Sequence, residues 1–171
     1  MTASFHAGEG APDVQAAVMP VVPPPGSVAS DGWSDVFDRR VIPSTVPGAC
    51  RAWVRVTGPL DDDPLLHACG LAYASDDMPT DAVIALHPDH VRPGGEEGDR
   101  EESGDRFMAA SLDHAIWFHR PVRADRWHLH ALRAEGLLAS RGVTVGHVFT
   151  EDGVHVATVA QEVLVRRRRT G

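Results

Sequence analysis

The chain has 171 residues, 43% of them hydrophobic, and a formal net charge of −8 at pH 7. That length accommodates one domain with a packed core, and the apolar content excludes a disordered chain. The negative charge argues against nucleic-acid binding as the main function, and no apolar run approaches the ~18 residues that cross a membrane.

Residues 1–33 have the composition of an extended linker. Pro20, the run from Pro23 to Pro25, and Gly26 lie close together in this stretch, and such clusters disfavour helices and strands. We interpret the segment as a Pro-rich connection to, or remnant of, a preceding domain. The globular domain is expected to cover residues 34–171.

Two strands and a helix open the predicted domain. Residues 34–43 and 49–58 are rich in β-branched and aromatic side chains in partial alternation, which favours strands. Asp63 is a good N-cap for a helix and Pro64 fits its first position, whereas Pro79 closes it. Four residues at helical spacing are predicted to form its buried face: Leu65, Cys69, Ala72 and Asp76. A second, short helix is expected over residues 80–86.

The second half of the domain is dominated by strands. Residues 91–106 are Gly-rich and charged, which predicts a surface loop. Four strand-like stretches follow, at 107–121, 126–138, 143–153 and 154–166. Residues 151–153, Glu-Asp-Gly, separate the last two as a hairpin turn. One helix followed by a run of antiparallel strands predicts an α+β fold, with a curved sheet wrapped around one central helix.

Three motifs give the chain a resemblance to a known family. They are GLAYASDD at 70–77, SLDHAIWFHRP at 111–121 and EDGVHVATVAQEVLVR at 151–166. From about residue 34 to residue 168 the chain resembles the C-terminal hot-dog domain of the type II acyl-CoA thioesterases, which have two hot-dog domains in one chain. The departure from that pattern is the absence of a first hot-dog domain.

The resemblance implies a hot-dog fold and hydrolysis of acyl-CoA to a free fatty acid and coenzyme A. In this family an Asp, a Thr or Ser, and a Gln activate the attacking water. Matched motif by motif, these residues fall on Asp76, Ser111 and Gln161. No metal or organic cofactor is implied, because coenzyme A is part of the substrate.

The residues themselves agree in part with these roles. Asp76 is expected at the C-terminal end of the helix, on the buried face, where the helix dipole disfavours a carboxylate and burial raises its pKa. The alternative is an exposed Asp at a fraying helix end, with Asp77 as the neighbour most easily mistaken for it. Gln161 alternates in phase with Val159 and Val163, so its amide is expected on an apolar face, where it must find hydrogen bonds.

Two other catalytic or metal-binding patterns are present but disfavoured. Ser111, Asp113 and His114 could suggest a Ser-His-Asp triad. In a continuous strand, however, His114 would face away from the other two, so we reject the triad. Asp113 is predicted to have a structural role, with support of the catalytic residues as the alternative. His128 and His130 have a ligand-like H-x-H spacing, but they are interpreted as an outward-facing pair rather than a metal site. The arginines at 166–169 could meet phosphates, although a solvated tail is the simpler interpretation.

Competing functions and partners follow from the same observations. One alternative is a non-catalytic or incomplete acyl-binding hot-dog, one half of a two-chain thioesterase. An enoyl-CoA hydratase would need an Asp and His pair on one loop, which we do not find.

Because the first domain is missing, a homodimer or pairing with another hot-dog domain is expected. Two cysteines without a secretory leader favour reduced thiols in a cytoplasmic protein.

Overall fold

The computed structural model describes residues 3–5, 9–90 and 106–168. Its strands and helices lie in the predicted order. They are β1 (Phe37–Ile42), β2 (Ala49–Val56), α1 (Pro64–Ser75), α2 (Pro79–Ile84), β3 (Phe107–Ser111), β4 (Ala115–Phe118), β5 (His128–Leu138), β6 (Arg141–Thr150) and β7 (His155–Arg167). The stretch 107–121, predicted as continuous strand, contains two strands, and residues 91–105 of the predicted loop lie outside the described residues.

All seven strands belong to one antiparallel sheet in the order β1-β2-β5-β6-β7-β3. Strand β7 pairs with β6 along one edge, and with β3 and then β4 along the other. The chain leaves the sheet at residues 112–114 between those two strands. Core clusters join α1 and α2 to the sheet, which gives the hot-dog arrangement and confirms the predicted α+β fold.

The start of α1 follows from its sequence, but its end and its orientation do not. The helix ends at Ser75, and Pro79, predicted to close it, is the first residue of α2. Asp63 caps the helix by accepting a hydrogen bond from the Leu65 backbone N–H at 2.9 Å. The predicted buried face is wrong, because Leu65 and Cys69 are exposed. The residues that pack under the helix are His67, Leu71, Ala74 and Ser75. Apolar side chains on both sides of α1 leave the periodicity unable to select one face.

The two long hairpins turn through residues with positive φ. Gly153 has a φ of 89° in the turn between β6 and β7, as the sequence predicts. Ala139 and Ser140 connect β5 to β6 with φ values of 50° and 66°, a conformation that costs a non-glycine residue energy. A hydrogen bond fixes this turn to the neighbouring strand, because the Ser140 carbonyl accepts from the backbone N–H of Val165 at 2.8 Å.

The N-terminal segment lies on the outer face of the sheet. It has no helix or strand from residue 9 to residue 36 apart from a 3₁₀ turn at Pro25–Ser27. Met19 and Val22 pack against Trp53, Leu129 and Phe149 of the sheet. The Trp53 indole N–H donates to the Pro23 carbonyl at 2.8 Å. This segment therefore covers apolar residues that would otherwise face solvent.

Candidate active site

The three site residues predicted from the motifs meet at the C-terminal end of α1. Ser111 Oγ donates to Asp76 Oδ1 at 3.1 Å, and Gln161 Nε2 donates to Ser111 Oγ at 2.6 Å. Asp76 is the C-cap of α1, Ser111 is the last residue of β3 and Gln161 lies in the middle of β7. Residues far apart in the chain thus form one hydrogen-bonded row.

The sheet register explains why Ser111 and Gln161 meet. Ser111 pairs with Val163 across β3 and β7, so Gln161 lies two residues along the same face, within diagonal reach. Gln161 is 1% exposed and flanked by the buried Val159 and Val163, as the alternation predicts. Its amide finds partners in side chains rather than in the backbone.

Asp76 differs from the expectation in one respect. Its side chain is 53% exposed, so the prediction of a carboxylate on the buried face of the helix is wrong. The exposure follows from the orientation of α1, which turns Asp76 to the same side as Leu65 and Cys69. A half-exposed carboxylate with one oxygen bound by Ser111 can still take a proton from water.

Asp77 has a different environment from its neighbour. It forms an ion pair with Arg39, which also pairs with Asp31 at 2.7 Å. Burial raises the pKa of Asp77, and the adjacent Arg39 guanidinium opposes that shift. The ion pair ties the end of α1 to β1, so Asp77 has a structural role and Asp76 is the carboxylate that remains available.

His114 is a site residue that the sequence reasoning missed. Its Nδ1 lies 2.6 Å from Gln161 Oε1 and 3.8 Å from Asp76 Oδ1, and its Nε2 lies 2.9 Å from Ser75 Oγ. The predicted outward orientation assumed an unbroken strand, whereas residues 112–114 are not in the sheet. The signal was present in the motif LDHxxWFHRP, which contains this histidine.

Ser111, Asp113 and His114 do not form the Ser-His-Asp triad that the sequence analysis rejected, because Ser111 and Asp113 bond to other residues. Ser111 hydrogen bonds to Asp76 and Gln161. Asp113 accepts from the Glu162 backbone N–H at 2.7 Å, which fixes the irregular segment to β7. Asp113 therefore has the structural role assigned to it.

The H-x-H pair on β5 faces inward, contrary to the prediction. His128 and His130 are 2% and 1% exposed, and they lie against Leu71 and Ala74 of α1. The N-terminal segment covers the opposite face of the strand, on which Leu129 lies. Both faces of β5 are thus buried, so alternation of apolar residues could not distinguish them.

The described arginines at the end of β7 stay on the surface. Arg167 lies 3.3 Å from Asp89, and Arg168 donates to the Phe107 carbonyl at 3.2 Å. Arg169 lies outside the described residues.

Helices long and apolar enough to cross a membrane are absent from residues 3–5, 9–90 and 106–168.

The site opens into a surface cavity of about 460 Å³. The residues that line it are Asp76, His114, Ala72, Tyr73, Trp33 and the ion-paired Asp77. The arrangement combines a carboxylate that can accept a proton, a hydroxyl and an amide that orient it, and room for a substrate.

A family model described as the acyl-CoA thioesterase C-terminal domain matches residues 9–165. The chain belongs to this family. Its match to acyl-CoA thioesterase 2 of Haemophilus influenzae is 35% identical over 121 residues, which is 71% of this chain and 38% of the relative. Human acyl-coenzyme A thioesterase 8 is 34% identical over 115 residues, 67% of this chain and 32% of the relative.

Solved structures place the acyl-CoA thioesterase C-terminal domain in the same fold. The acyl-CoA thioesterase II TesB2 of Mycobacterium marinum superposes with a TM-score of 0.71 at 33% identity, over 95% of this chain and 60% of that chain. A conserved hot-dog protein of Alicyclobacillus acidocaldarius, 19% identical, matches with a TM-score of 0.59 and supports the fold alone. The chain spans about a third of the length of these two curated relatives and 60% of the Mycobacterium marinum protein.

Proposed function

We propose that the chain carries the active site of an acyl-CoA thioesterase, which hydrolyses acyl-CoA to a free fatty acid and coenzyme A. The observation that carries the proposal is the hydrogen-bonded row of Asp76, Ser111 and Gln161, in which Asp76 lines a surface cavity. Relatives named as acyl-CoA thioesterases support the same reaction.

In the proposed mechanism Asp76 acts as the general base. Ser111 donates to Oδ1 of Asp76, which leaves Oδ2 to accept a proton from water as its oxygen attacks the thioester carbonyl carbon. The tetrahedral intermediate then collapses and the C–S bond breaks. The thiolate of coenzyme A leaves and takes up the proton that Asp76 accepted, which returns Asp76 to its carboxylate form. Water and side chains supply every group in this reaction, so it calls for no metal or organic cofactor.

A thiol-release assay tests the proposal directly. The purified chain should release coenzyme A from at least one of a short, a medium and a long acyl-CoA. The chain should also be tested together with a separately expressed first hot-dog domain of a relative. A folded chain that hydrolyses none of the substrates, either alone or with that domain, would contradict the proposal.

An apolar stripe on the outer side of α1 supports pairing with a second hot-dog domain. Leu65 and Tyr73 are 70% and 68% exposed, and the exposed Cys69 lies between them at helical spacing. Trp117 and Phe118 of the edge strand β4 are also exposed, although large exposed apolar patches are uncommon on monomers. For the chain on its own we propose a homodimer through this surface.

Light scattering on the purified chain measures this assembly. We expect a dimer that dissociates when Leu65→Arg and Tyr73→Arg are combined, because two buried charges would be added to each copy. The control is Leu138→Arg at the exposed β5–β6 turn, away from the stripe, which should remain a dimer. A wild-type chain that is monomeric and fully active would contradict the pairing.

The two unpaired cysteines support a cytoplasmic location, where thiols stay reduced.

A further inference from the structure

His114 lies between the candidate site and the end of α1, in contact with both. Its side chain is 22% exposed. Nδ1 is 2.6 Å from Gln161 Oε1, and Nε2 is 2.9 Å from Ser75 Oγ. We propose that His114 is a positioning residue, which fixes the orientation of the Gln161 amide and thereby directs the Ser111 proton to Asp76. The inference rests on the proposed thioesterase reaction.

The acceptor and donor properties of each group determine where the protons lie. An amide oxygen can only accept, so His114 Nδ1 must carry the proton in its contact with Gln161 Oε1. The other end of the amide, Nε2, then donates to Ser111 Oγ. Because Ser111 accepts that bond and has a single hydroxyl proton, it donates the proton to Asp76 Oδ1.

The opposite orientation of the amide would reverse this sequence. With Oε1 beside Ser111, the serine proton would be drawn to Gln161, and Asp76 would lose its hydrogen bond. A histidine with Nδ1–H disfavours that orientation, since two N–H donors would then face each other at 2.6 Å. His114 thus selects the orientation that holds Asp76.

The contact of Nε2 with Ser75 allows the same proton at Nδ1. Ser75 Oγ also lies 2.8 Å from the Ala72 carbonyl. When Ser75 donates to His114, the neutral imidazole has its proton on Nδ1. When Ser75 donates to Ala72, Nε2–H donates to Ser75 instead, and a neutral imidazole then has no proton on Nδ1. The proposal therefore rests on the first arrangement, and the NMR measurement below distinguishes the two.

A matched pair of substitutions separates the two contacts of His114. Asparagine carries its amide nitrogen at the position of Nδ1, so His114→Asn can still donate to Gln161. Glutamine carries its nitrogen near the position of Nε2, so His114→Gln keeps only the Ser75 side. We expect His114→Gln to lower kcat about tenfold with little change in KM, because water activation and not binding is impaired. His114→Asn should stay within about threefold of wild type.

A double-mutant cycle tests whether His114 acts through Gln161. In a Gln161→Ala background the amide is gone, so His114→Gln should lower kcat by no more than about twofold further. Equal losses in both backgrounds would overturn the proposal, as would an unimpaired His114→Gln or a His114→Asn as impaired as His114→Gln.

Nitrogen NMR of the imidazole gives a readout that does not need activity. The expected result is a protonated Nδ1 for His114 in the folded wild-type chain, and an unprotonated Nδ1 would overturn the inference. If no variant hydrolyses acyl-CoA but Nδ1 is protonated, the thioesterase proposal fails while the hydrogen-bond geometry of His114 stands. If the wild type is active and Nδ1 is unprotonated, the inference about His114 fails while the thioesterase proposal stands.

Discussion

Two clusters of polar side chains lie between α1 and the sheet, and they differ in how their hydrogen-bonding groups are satisfied. In the site cluster (Asp76, Ser111, His114 and Gln161) every member bonds another, and the cluster opens to a cavity. In the core histidines (His67, His128 and His130) four ring nitrogens are buried without a partner among the described residues.

The contrast indicates what each cluster contributes to the protein. An unpaired buried donor or acceptor costs about 1–3 kcal/mol of stability, so the core histidines weaken the fold. Burial lowers the pKa of His128 to about 4 and that of His130 to about 3, which keeps both neutral at pH 7. The site cluster has its polar groups satisfied and a carboxylate that is half exposed. The site cluster is therefore the candidate for catalysis, whereas the core histidines are expected to make the stability of the fold sensitive to acid.

The largest effect is expected from the two neighbouring aspartates. Asp76→Asn should lower kcat by about 10²-fold or more while the fold is retained, since an amide cannot accept the proton of water. Asp77→Asn is the matched control, and it should reduce stability by breaking the ion pair with Arg39 while activity stays within a few-fold. Thiol release and thermal unfolding of both variants measure this. Wild-type rates in Asp76→Asn would contradict the assignment of the base.

A smaller loss of activity is expected from Gln161. Gln161→Ala removes the donor to Ser111 and should lower kcat about tenfold, because this residue positions groups and transfers no proton. The measurement is kcat at saturating substrate, with circular dichroism as the check on folding. A loss as large as that of Asp76→Asn would assign Gln161 a direct part in the chemistry.

The core histidines should give the smallest effect on activity and a distinct effect on stability. Below pH 6.5 the unfolded chain binds more protons at His128 and His130 than the folded chain does, so stability falls as the pH falls toward 4. Each histidine changes the free energy of unfolding by up to about 1.4 kcal/mol per pH unit. Above pH 6.5 the free energy of unfolding no longer depends on these two histidines. Urea unfolding at pH 7, 6 and 5 measures it.

His130→Leu provides the comparison for that experiment. It removes an imidazole with two unpartnered nitrogens and should raise stability at pH 7 by about 1 kcal/mol. It should also reduce the pH slope by the share of one histidine, about 1.4 kcal/mol per pH unit, with hydrolysis within a few-fold of wild type. An unchanged slope in His130→Leu would assign the acid sensitivity to other groups.

Local signals and motifs in the sequence predicted most of the elements and three of the four members of the site cluster. Asp63 and Pro64 define the start of α1, and Gly153 defines the last hairpin, because each depends on its own backbone geometry. The motifs predicted that Asp76, Ser111 and Gln161 form one site, and the three residues lie together in the structure. Their catalytic roles remain a prediction. The domain boundary at residue 33 also remains a prediction.

Orientation could not be predicted, because it depends on what covers each face. The N-terminal segment, interpreted as a linker, packs on the sheet and buries the face of β5 on which Leu129 lies, so His128 and His130 turn inward. The exposed stripe on α1 is apolar, so its pattern resembles that of a core face. The break at residues 112–114 contains no glycine or proline to mark it in the sequence, and it turns His114 into the site.

The exposed stripe also gives the chain a single reactive thiol at neutral pH. The thiolate is the nucleophilic form of cysteine, and burial raises the pKa of Cys50, packed against Met78, to about 12. A thiol reagent should therefore modify Cys69 and spare Cys50 in the folded chain. The reagent that detects released coenzyme A will also titrate Cys69, which adds a fixed background to the assay. Because Cys69 lies on the surface proposed to pair, the rate of that background reaction reports how much of the chain is assembled.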